Sequence, residues 1–152
     1  MKLGIDVGST TVKLILLGSN DEIIYSRYER HNSDVFQKVR ELLFELIKEM
    51  GDLSIKAIIT GSGGLSLAKI LNLKFEQEVI SCTEAVSKII PETDVSIELG
   101  GEDAKITYYN PSIEQRMNGS CAGGTGAFID QMAVLLNTDA SGLNEAAKSY
   151  NI

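Results

Sequence analysis

The sequence is poor in cysteine, in basic residues and in long hydrophobic runs, and each scarcity excludes a class of protein. Two cysteines, Cys82 and Cys121, are too few for a disulfide-rich scaffold, and they lack the CxxC spacing of a zinc site. Basic residues number 14 against 21 acidic ones, and the resulting net charge of −7 disfavours binding to nucleic acid or to anionic lipid. Neither a signal peptide nor a membrane span is predicted, so a reducing cytoplasm is the expected compartment.

Glycine, by contrast, is abundant and clustered. The 152 residues correspond to one domain in size, and 43% of them are apolar, which suffices for a core without disulfide or metal staples. There are 14 glycines and only 2 prolines, and many of the glycines lie in short turns at the ends of apolar runs. The clustered glycines are Gly8, Gly61, Gly63, Gly64, Gly100, Gly101, Gly123, Gly124 and Gly126.

Hydrophobic periodicity predicts an α/β domain with a mixed sheet. Strands are predicted at 2–7, 12–17, 22–28, 55–60, 94–99, 104–109 and 112–117, the last at an edge. Helices are predicted at 34–50, at 64 to about 71, and at 82–90, 124–136 and 142–149. Ser33 is the expected N-cap of the helix at 34–50, with Gly51 just past its end, and Ser141 is the expected N-cap of the helix at 142–149. No internal repeat is visible.

The first glycine turn lies in the string GIDVGSTTVKLILL. Gly8 has no side chain, so a ligand can approach the backbone closely. The hydroxyl groups of Ser9, Thr10 and Thr11, beside main-chain N–H groups, suit a phosphate, and the carboxylate of Asp6 could hold Mg²⁺ directly or through water. An ordinary hairpin turn explains the same residues, so this turn by itself leaves both interpretations open.

The second turn, in VSIELGGEDAKI, repeats that arrangement: an apolar strand ends in an acid and two glycines. Glu98 lies near the end of the strand, and Gly100 and Gly101 leave room for a phosphate. Glu102 and Asp103 could position an attacking water or a metal. A plain strand–turn–strand with a solvated acidic tip is the alternative.

The third turn, TGSGG at 60–64, matches neither the dinucleotide fingerprint nor the P-loop, and a packing role is expected for its glycines.

The fourth turn, in SCAGGTGAFIDQMA, places Cys121 just before a helix. A helix N-terminus favours the thiolate, so Cys121 is a candidate metal ligand or nucleophile, and a small buried residue is the alternative. The nucleophile interpretation lacks a base, because the only histidine, His31, precedes the long helix with no third group implied. Cys82 lies in a predicted amphipathic helix and is interpreted as a core residue.

Together these segments resemble one protein superfamily. The first strand–turn–strand is similar to the first phosphate motif of actin, sugar kinases and heat-shock 70 chaperones, and IELGGEDAKI is similar to the second. The string NGSCAGGTGAFIDQMA narrows the resemblance to the ATP-dependent activators of 2-hydroxyacyl-CoA dehydratases and benzoyl-CoA reductases. The resemblance covers essentially the whole chain. The variants ELGGED and CAGGTG look like those of the long, multi-module activases of anaerobic bacteria.

The resemblance implies a ribonuclease H-like, actin-like lobe and a specific chemistry. Such activators are homodimers of two-lobed subunits that bind ATP between their lobes and share one [4Fe–4S] cluster. ATP binding and hydrolysis send a low-potential electron to the partner, a 2-hydroxyacyl-CoA dehydratase or related reductase. Carried over by motif position, the phosphate and Mg²⁺ residues are Asp6, Gly8, Ser9, Thr10, Thr11, Gly100 and Gly101, the catalytic residues are Glu98 and Asp103, and Cys121 is a cluster ligand.

The sequence departs from the family pattern at its end. The second cluster cysteine and the adenosine-binding glycine motif should follow the last helix, and the chain stops at Ile152 before either. We therefore expect residues 1–152 to form the N-terminal lobe, which alone would bind ATP or ADP weakly, not turn over and hold no cluster. Two alternatives remain: a sugar- or acid-kinase-like phosphotransferase, and a non-catalytic actin-like module, each with a structural Cys121.

Overall fold

The computed structural model describes residues 1–119 and 124–150. The chain divides into two compact units, Met1–Glu92 and Thr93–Ile152. Each unit has its own sheet, and each sheet begins with an antiparallel hairpin that carries one of the glycine turns considered above. The two units are therefore described in turn.

The first unit is built on a mixed five-stranded sheet with the order β3-β2-β1-β4-β5. Strands β1, β2 and β3 form an antiparallel meander, whereas β4 runs parallel to β1 and β5 runs parallel to β4. The strands are β1 (Lys2–Val7), β2 (Thr11–Leu17), β3 (Ile23–Arg30), β4 (Lys56–Thr60) and β5 (Lys74–Phe75), and the helices are α1 (Val35–Met50), α2 (Gly64–Leu71) and α3 (Glu78–Ile89). The predicted strands at 2–7, 12–17, 22–28 and 55–60 are confirmed. The two-residue strand β5 was not predicted from the sequence.

The core of this unit comes from alternating residues of the strands and one face of α1. Leu3, Ile5 and Val7 alternate along β1 and are almost completely buried, as period-2 strands with one covered face require. On α1, the buried side chains are Val39, Leu42 and Leu46, which recur at helical spacing. Burying this one face of the central strands fixes their register, and with it the position of the turn between β1 and β2.

The ends of α1 differ from the expectation at one residue. Asp34, not Ser33, is the N-cap, and its carboxylate accepts a hydrogen bond from the backbone N–H of Gln37 at 3.0 Å. Ser33 lies one residue outside, with a φ of 68°. Gly51 follows the last turn with a φ of 74°, and its N–H donates to the carbonyl of Ile47, so the predicted end is confirmed.

The second unit contains an antiparallel three-stranded sheet with the order β6-β7-β8. Its elements are β6 (Val95–Leu99), β7 (Ala104–Tyr108), β8 (Glu114–Met117), α4 (Gly126–Leu135) and α5 (Ala140–Lys148). The strands and helices predicted from residue 94 onwards are thus present. Asp139 caps α5 in place of the predicted Ser141, accepting a hydrogen bond from the N–H of Gly142 at 2.8 Å.

Two further expectations are corrected by α3. The helix begins at Glu78, four residues before the predicted start, and none of its described residues is buried. Cys82 on this helix is half-buried, so its assignment to the core was wrong. Hydrophobic spacing alone does not distinguish a helix with a buried face from one whose residues all stay partly exposed. Among the described helices, none is both long and apolar enough to cross a membrane.

Candidate functional site: two acid–glycine turns

The first candidate turn connects β1 to β2. The N–H of Gly8 donates to the carbonyl of Thr11 at 2.9 Å, which closes the turn and leaves Ser9 and Thr10 at its tip. Asp6 lies two residues before Gly8, at the end of β1. The structure thus brings together all five residues that the sequence predicts for a first phosphate site, Asp6, Gly8, Ser9, Thr10 and Thr11.

Lys13, which is not among the residues predicted from the motif, also lies at this turn. Lys13 is the direct cross-strand partner of Asp6, and its Nζ lies 2.8 Å from Asp6 Oδ2. Its ammonium also approaches the turn, because a Cβ added to Gly8 would lie 3.8 Å from Lys13 Nζ. A cation beside turn N–H groups adds positive charge where a phosphate would bind. Cross-strand register in the hairpin is the signal that could have identified it.

The third glycine turn packs against the first. Gly61 has a φ of 91°, and a Cβ at this position would lie 2.4 Å from both Asp6 Oδ1 and the carbonyl oxygen of Val7. The N–H of Gly63 donates to the same Val7 carbonyl at 2.8 Å. The expected packing role is therefore confirmed: glycine at 61 lets the loop after β4 touch the end of β1.

The fit of the Asp6 carboxylate to Mg²⁺ can be judged from its two oxygens. Oδ2 is paired with Lys13, whereas Oδ1 is buried and has no hydrogen-bond partner among the described residues. A buried carboxylate oxygen without a partner is unfavourable unless water or a cation satisfies it. Carboxylate oxygens and waters are the ligands that Mg²⁺ prefers, so the residue present fits that ion.

The second candidate turn connects β6 to β7. The N–H of Gly100 donates to the carbonyl of Asp103 at 2.8 Å. Glu98 precedes the turn, and its Oε1 lies 3.5 Å from Nζ of Lys105, its direct cross-strand partner. The Lys105 side chain is only 8% exposed, so its charge is held in a largely desolvated position beside the Glu98 carboxylate.

The two turns have the same design, although the sequence shows no repeat. In each, an acid lies two residues before a glycine whose N–H donates to the carbonyl three residues on. In each turn, a lysine on the second strand faces the acid and follows it by seven residues. The two turns thus share an acid, a glycine and a facing lysine, Lys13 in the first and Lys105 in the second.

The second turn is also bonded to the start of α4. The N–H of Gly126 donates to the carbonyl of Gly100 at 3.1 Å, and the N–H of Ala127 donates to that of Gly101 at 2.7 Å. Two of the N–H groups left unpaired at a helix N-terminus are therefore satisfied by this turn. Cys121 precedes α4 and lies outside the described residues. Among the residues that are described, no cluster of histidine, cysteine and acidic side chains could hold a metal ion.

The fold is that of the actin-like ATPases, and comparison with known proteins gives the family. A model of the BadF/BadG/BcrA/BcrD ATPase family matches residues 3–149, and the chain belongs to this family. The relation to activators of 2-hydroxyacyl-CoA dehydratases and the ribonuclease H-like fold, both expected from the motifs, are thereby confirmed.

Characterised relatives are similar along almost the whole chain. The activating ATPase of (R)-2-hydroxyglutaryl-CoA dehydratase from Acidaminococcus fermentans is 34% identical over 97% of the chain and 58% of its own length. The 2-hydroxyisocaproyl-CoA dehydratase activator from Clostridioides difficile is 30% identical over 93% of the chain and 54% of its own length. The chain thus spans little more than half the length of these relatives.

Solved structures agree with this relation. Component A of the A. fermentans dehydratase superposes with a TM-score of 0.81 at 30% identity, covering 99% of this chain and 60% of that one. The C. difficile activator, solved with bound ADPNP, gives 0.79 at 30% identity, over 99% of this chain and 57% of that one. The ethanolamine utilization protein EutJ from Carboxydothermus hydrogenoformans, at 14% identity and a TM-score of 0.66, shares the fold.

Proposed function

We propose that this chain is the phosphate-binding part of an ATP-hydrolysing activator of a 2-hydroxyacyl-CoA dehydratase or related reductase. The observation that carries the proposal is the common design of the two turns, each with an acid, a glycine and a facing lysine. Backbone N–H groups in a glycine turn with a cation beside them suit a phosphate. The names of the relatives supply the class of partner.

In the first turn, the proposed task is binding. Backbone N–H groups at the tip and the hydroxyl groups of Ser9, Thr10 and Thr11 donate to phosphate oxygens, and Lys13 adds a positive charge. Asp6 keeps Lys13 in place through the 2.8 Å ion pair and has a second oxygen available to a hydrated cation. When bound, Mg²⁺ supplies charge neutralisation at the phosphates.

In the second turn, the proposed task is hydrolysis. Gly100 and Gly101 leave room for a phosphate, and Glu98 and Asp103 are the residues assigned to orient the attacking water. Lys105 holds the Glu98 side chain through the 3.5 Å ion pair, and the carboxylate oxygens of Glu98 can accept a hydrogen bond from water. Because the turn is bonded to α4, its conformation and that of the helix start are linked.

Cys121 completes the proposal as a ligand of a [4Fe–4S] cluster shared between two copies of the activator. This assignment rests on the position of Cys121 in the motif before α4. Thiolate is the ligand that iron–sulfur clusters use, and each ligand lost weakens the cluster. When bound, such a cluster would supply the low-potential electron for the partner enzyme under anaerobic conditions.

Nucleotide binding is tested by following backbone amide signals while Mg-ATP is added. We expect the signals of residues 8–11 and 100–103 to shift, and the shifts to depend on Mg²⁺. Asp6→Asn should weaken the affinity about tenfold, since it removes a charged partner at the site. Asp21→Asn is the matched control, because Asp21 is also paired with a lysine, 2.6 Å away, but lies in the turn between β2 and β3. Unchanged signals in both turns would refute phosphate binding.

The activator role is tested with a protein that contains both lobes of the activator fold, reconstituted anaerobically with iron and sulfide, and an inactive 2-hydroxyacyl-CoA dehydratase. Recovery of dehydratase activity should require ATP and a reductant, and Cys121→Ala should abolish both that recovery and the visible absorption of the cluster. Cys82→Ala is the matched control, since Cys82 lies half-buried on α3 and has no place in the motif. A Cys121→Ala protein with a full complement of iron would contradict the ligand assignment. ATP consumption that depends on a hydroxylated or carboxylate substrate would indicate a phosphotransferase instead.

A further inference from the structure

The single histidine of the chain lies against the first turn. His31 is 7% exposed and follows β3 directly. Its ring Nε2 lies 3.2 Å from the carbonyl oxygen of Gly8, and its backbone N–H donates to the carbonyl of Thr10, also at 3.2 Å. One residue therefore contacts two carbonyl groups of a turn that is more than twenty residues away in sequence.

The contact made by the other ring nitrogen, Nδ1, determines which of the two nitrogens carries the proton of the neutral ring. Nδ1 lies 3.1 Å from the backbone nitrogen of Ser33, whose N–H can only donate. Nδ1 is therefore the unprotonated nitrogen, and the neutral ring carries its proton on Nε2, from which it donates to Gly8. Asn32 and Ser33 have φ values of 47° and 68°, and this left-handed turn is what directs the Ser33 N–H back to the ring.

Holding the two carbonyls has a consequence for the N–H groups between them. In a trans peptide, C=O and the following N–H point in opposite directions, so a Gly8 carbonyl turned towards His31 directs the Ser9 N–H away from it. Within the part of the chain that the structure describes, the N–H groups of Ser9 and Thr10 donate no hydrogen bond. His31 thus binds the carbonyls, which would repel a phosphate, and leaves the N–H groups free to receive one.

We propose that His31 is a positioning residue, which holds the first turn in the conformation that binds phosphate through its neutral Nε2–H tautomer. The proposal rests on the proposed function for the ligand, a nucleotide phosphate, and on the contacts above for the geometry. His31 lies outside the turn, and its proposed role is to position the turn and not to contact the phosphate.

The tautomer is tested directly, because the sequence contains only one histidine. A long-range proton–nitrogen correlation spectrum at neutral pH should show one imidazole, with Nε2 protonated and Nδ1 unprotonated. A ring protonated on Nδ1, or a mixture of tautomers, would overturn the proposal, since Nδ1 could then not accept from Ser33.

Two substitutions separate the contact with the turn from the contact with Ser33. In His31→Gln, the side-chain amide nitrogen reaches roughly the place of Nε2 and can donate to Gly8. In His31→Asn, the side-chain oxygen lies near the place of Nδ1 and can accept from the N–H two residues on, but the side chain is too short to reach Gly8. Positioning predicts that Gln preserves the turn and that Asn does not.

Hydrogen exchange of the Gly8 N–H reports on the turn, because this group bonds to Thr11 across it. His31→Asn should reduce its protection about tenfold, the equivalent of one lost hydrogen bond, and should weaken Mg-ADP binding by a similar factor. His31→Gln should stay within about twofold of the wild type in both. The Gly100 N–H, with the same bond in the second turn, is the internal control and should not change.

The possible results distinguish a failure of the His31 positioning role from a failure of phosphate binding. If the Asn and Gln variants lose Gly8 protection equally, or if Gly100 loses it as well, His31 supports the fold only and the positioning role is refuted. If the wild type binds no Mg-ADP, phosphate binding fails, while the tautomer and the protection of Gly8 still decide whether His31 holds the turn. If both variants bind Mg-ADP like the wild type, the positioning role is refuted and phosphate binding stands.

Discussion

Gly61→Ala should destabilise the protein strongly, because it perturbs both the backbone of the loop and the end of β1. Gly61 has a φ of 91°, a conformation that costs a residue with a Cβ about 1–2 kcal/mol. The new methyl group would also lie 2.4 Å from Asp6 Oδ1 and from the Val7 carbonyl oxygen, and 2.6 Å from the Val7 carbonyl carbon. Backbone atoms cannot move aside as a flexible side chain can, so overpacking adds about 1–3 kcal/mol. The free energy of unfolding should fall by roughly 2–5 kcal/mol in total.

Gly51→Ala is the matched control, because it isolates the backbone cost. Gly51 has a similar φ of 74°, and a Cβ there would meet nothing within 4 Å. With a ψ of −164°, Gly51 has a backbone conformation that essentially only glycine adopts, so its substitution should cost about 1–3 kcal/mol. Urea unfolding followed by circular dichroism measures the difference: at an m-value of about 2 kcal/mol/M, the midpoint falls by roughly 1–2.5 M for Gly61→Ala and by up to about 1.5 M for Gly51→Ala. Equal midpoints for the two variants would refute the close approach of this loop to β1.

Two further predictions concern charge and capping in the first unit. Hydrogen bonds from Lys2 and Lys88 lower the pKa of Asp21 to about 2 from 3.8, so its contribution to stability is present above about pH 4 and is lost as the pH falls towards 2. Measured against pH, the free energy of unfolding of Asp21→Asn should lack this part of the acid loss, and an unchanged acid limb would contradict the pairing. Asp34→Ala should cost about 1 kcal/mol of stability through the lost cap of α1, while Ser33→Ala should change it little. Thermal unfolding compares the two, and the reverse order would restore Ser33 as the cap.

Much of the fold could be predicted from the sequence because its signals are local. Alternation of apolar residues placed β1 and β2 within a residue of their observed bounds, and helical spacing with a glycine at the end placed α1. The errors occur where a local signal has two solutions. Ser33 and Asp34 are both good N-caps, and the turn that brings Ser33 to the ring of His31 leaves Asp34 as the cap. Cys82 lies on a helix whose spacing is amphipathic but whose described residues stay out of the core.

What the sequence by itself determined is which residues form the turns, and these residues predict phosphate binding. Glycines next to acids and hydroxyl groups indicated phosphate binding, since these residues are neighbours along the chain and need no tertiary contact to act together. The tertiary structure decided which cations and which supports join them. Lys13 and Lys105 face their acids only because the strands pair in one register, which the burial of one sheet face sets. Gly61 and His31 meet the first turn only after β4 and β3 have taken their places in the sheet. The contacts of Gly61 and His31 depend on how distant segments pack, and no local pattern encodes them.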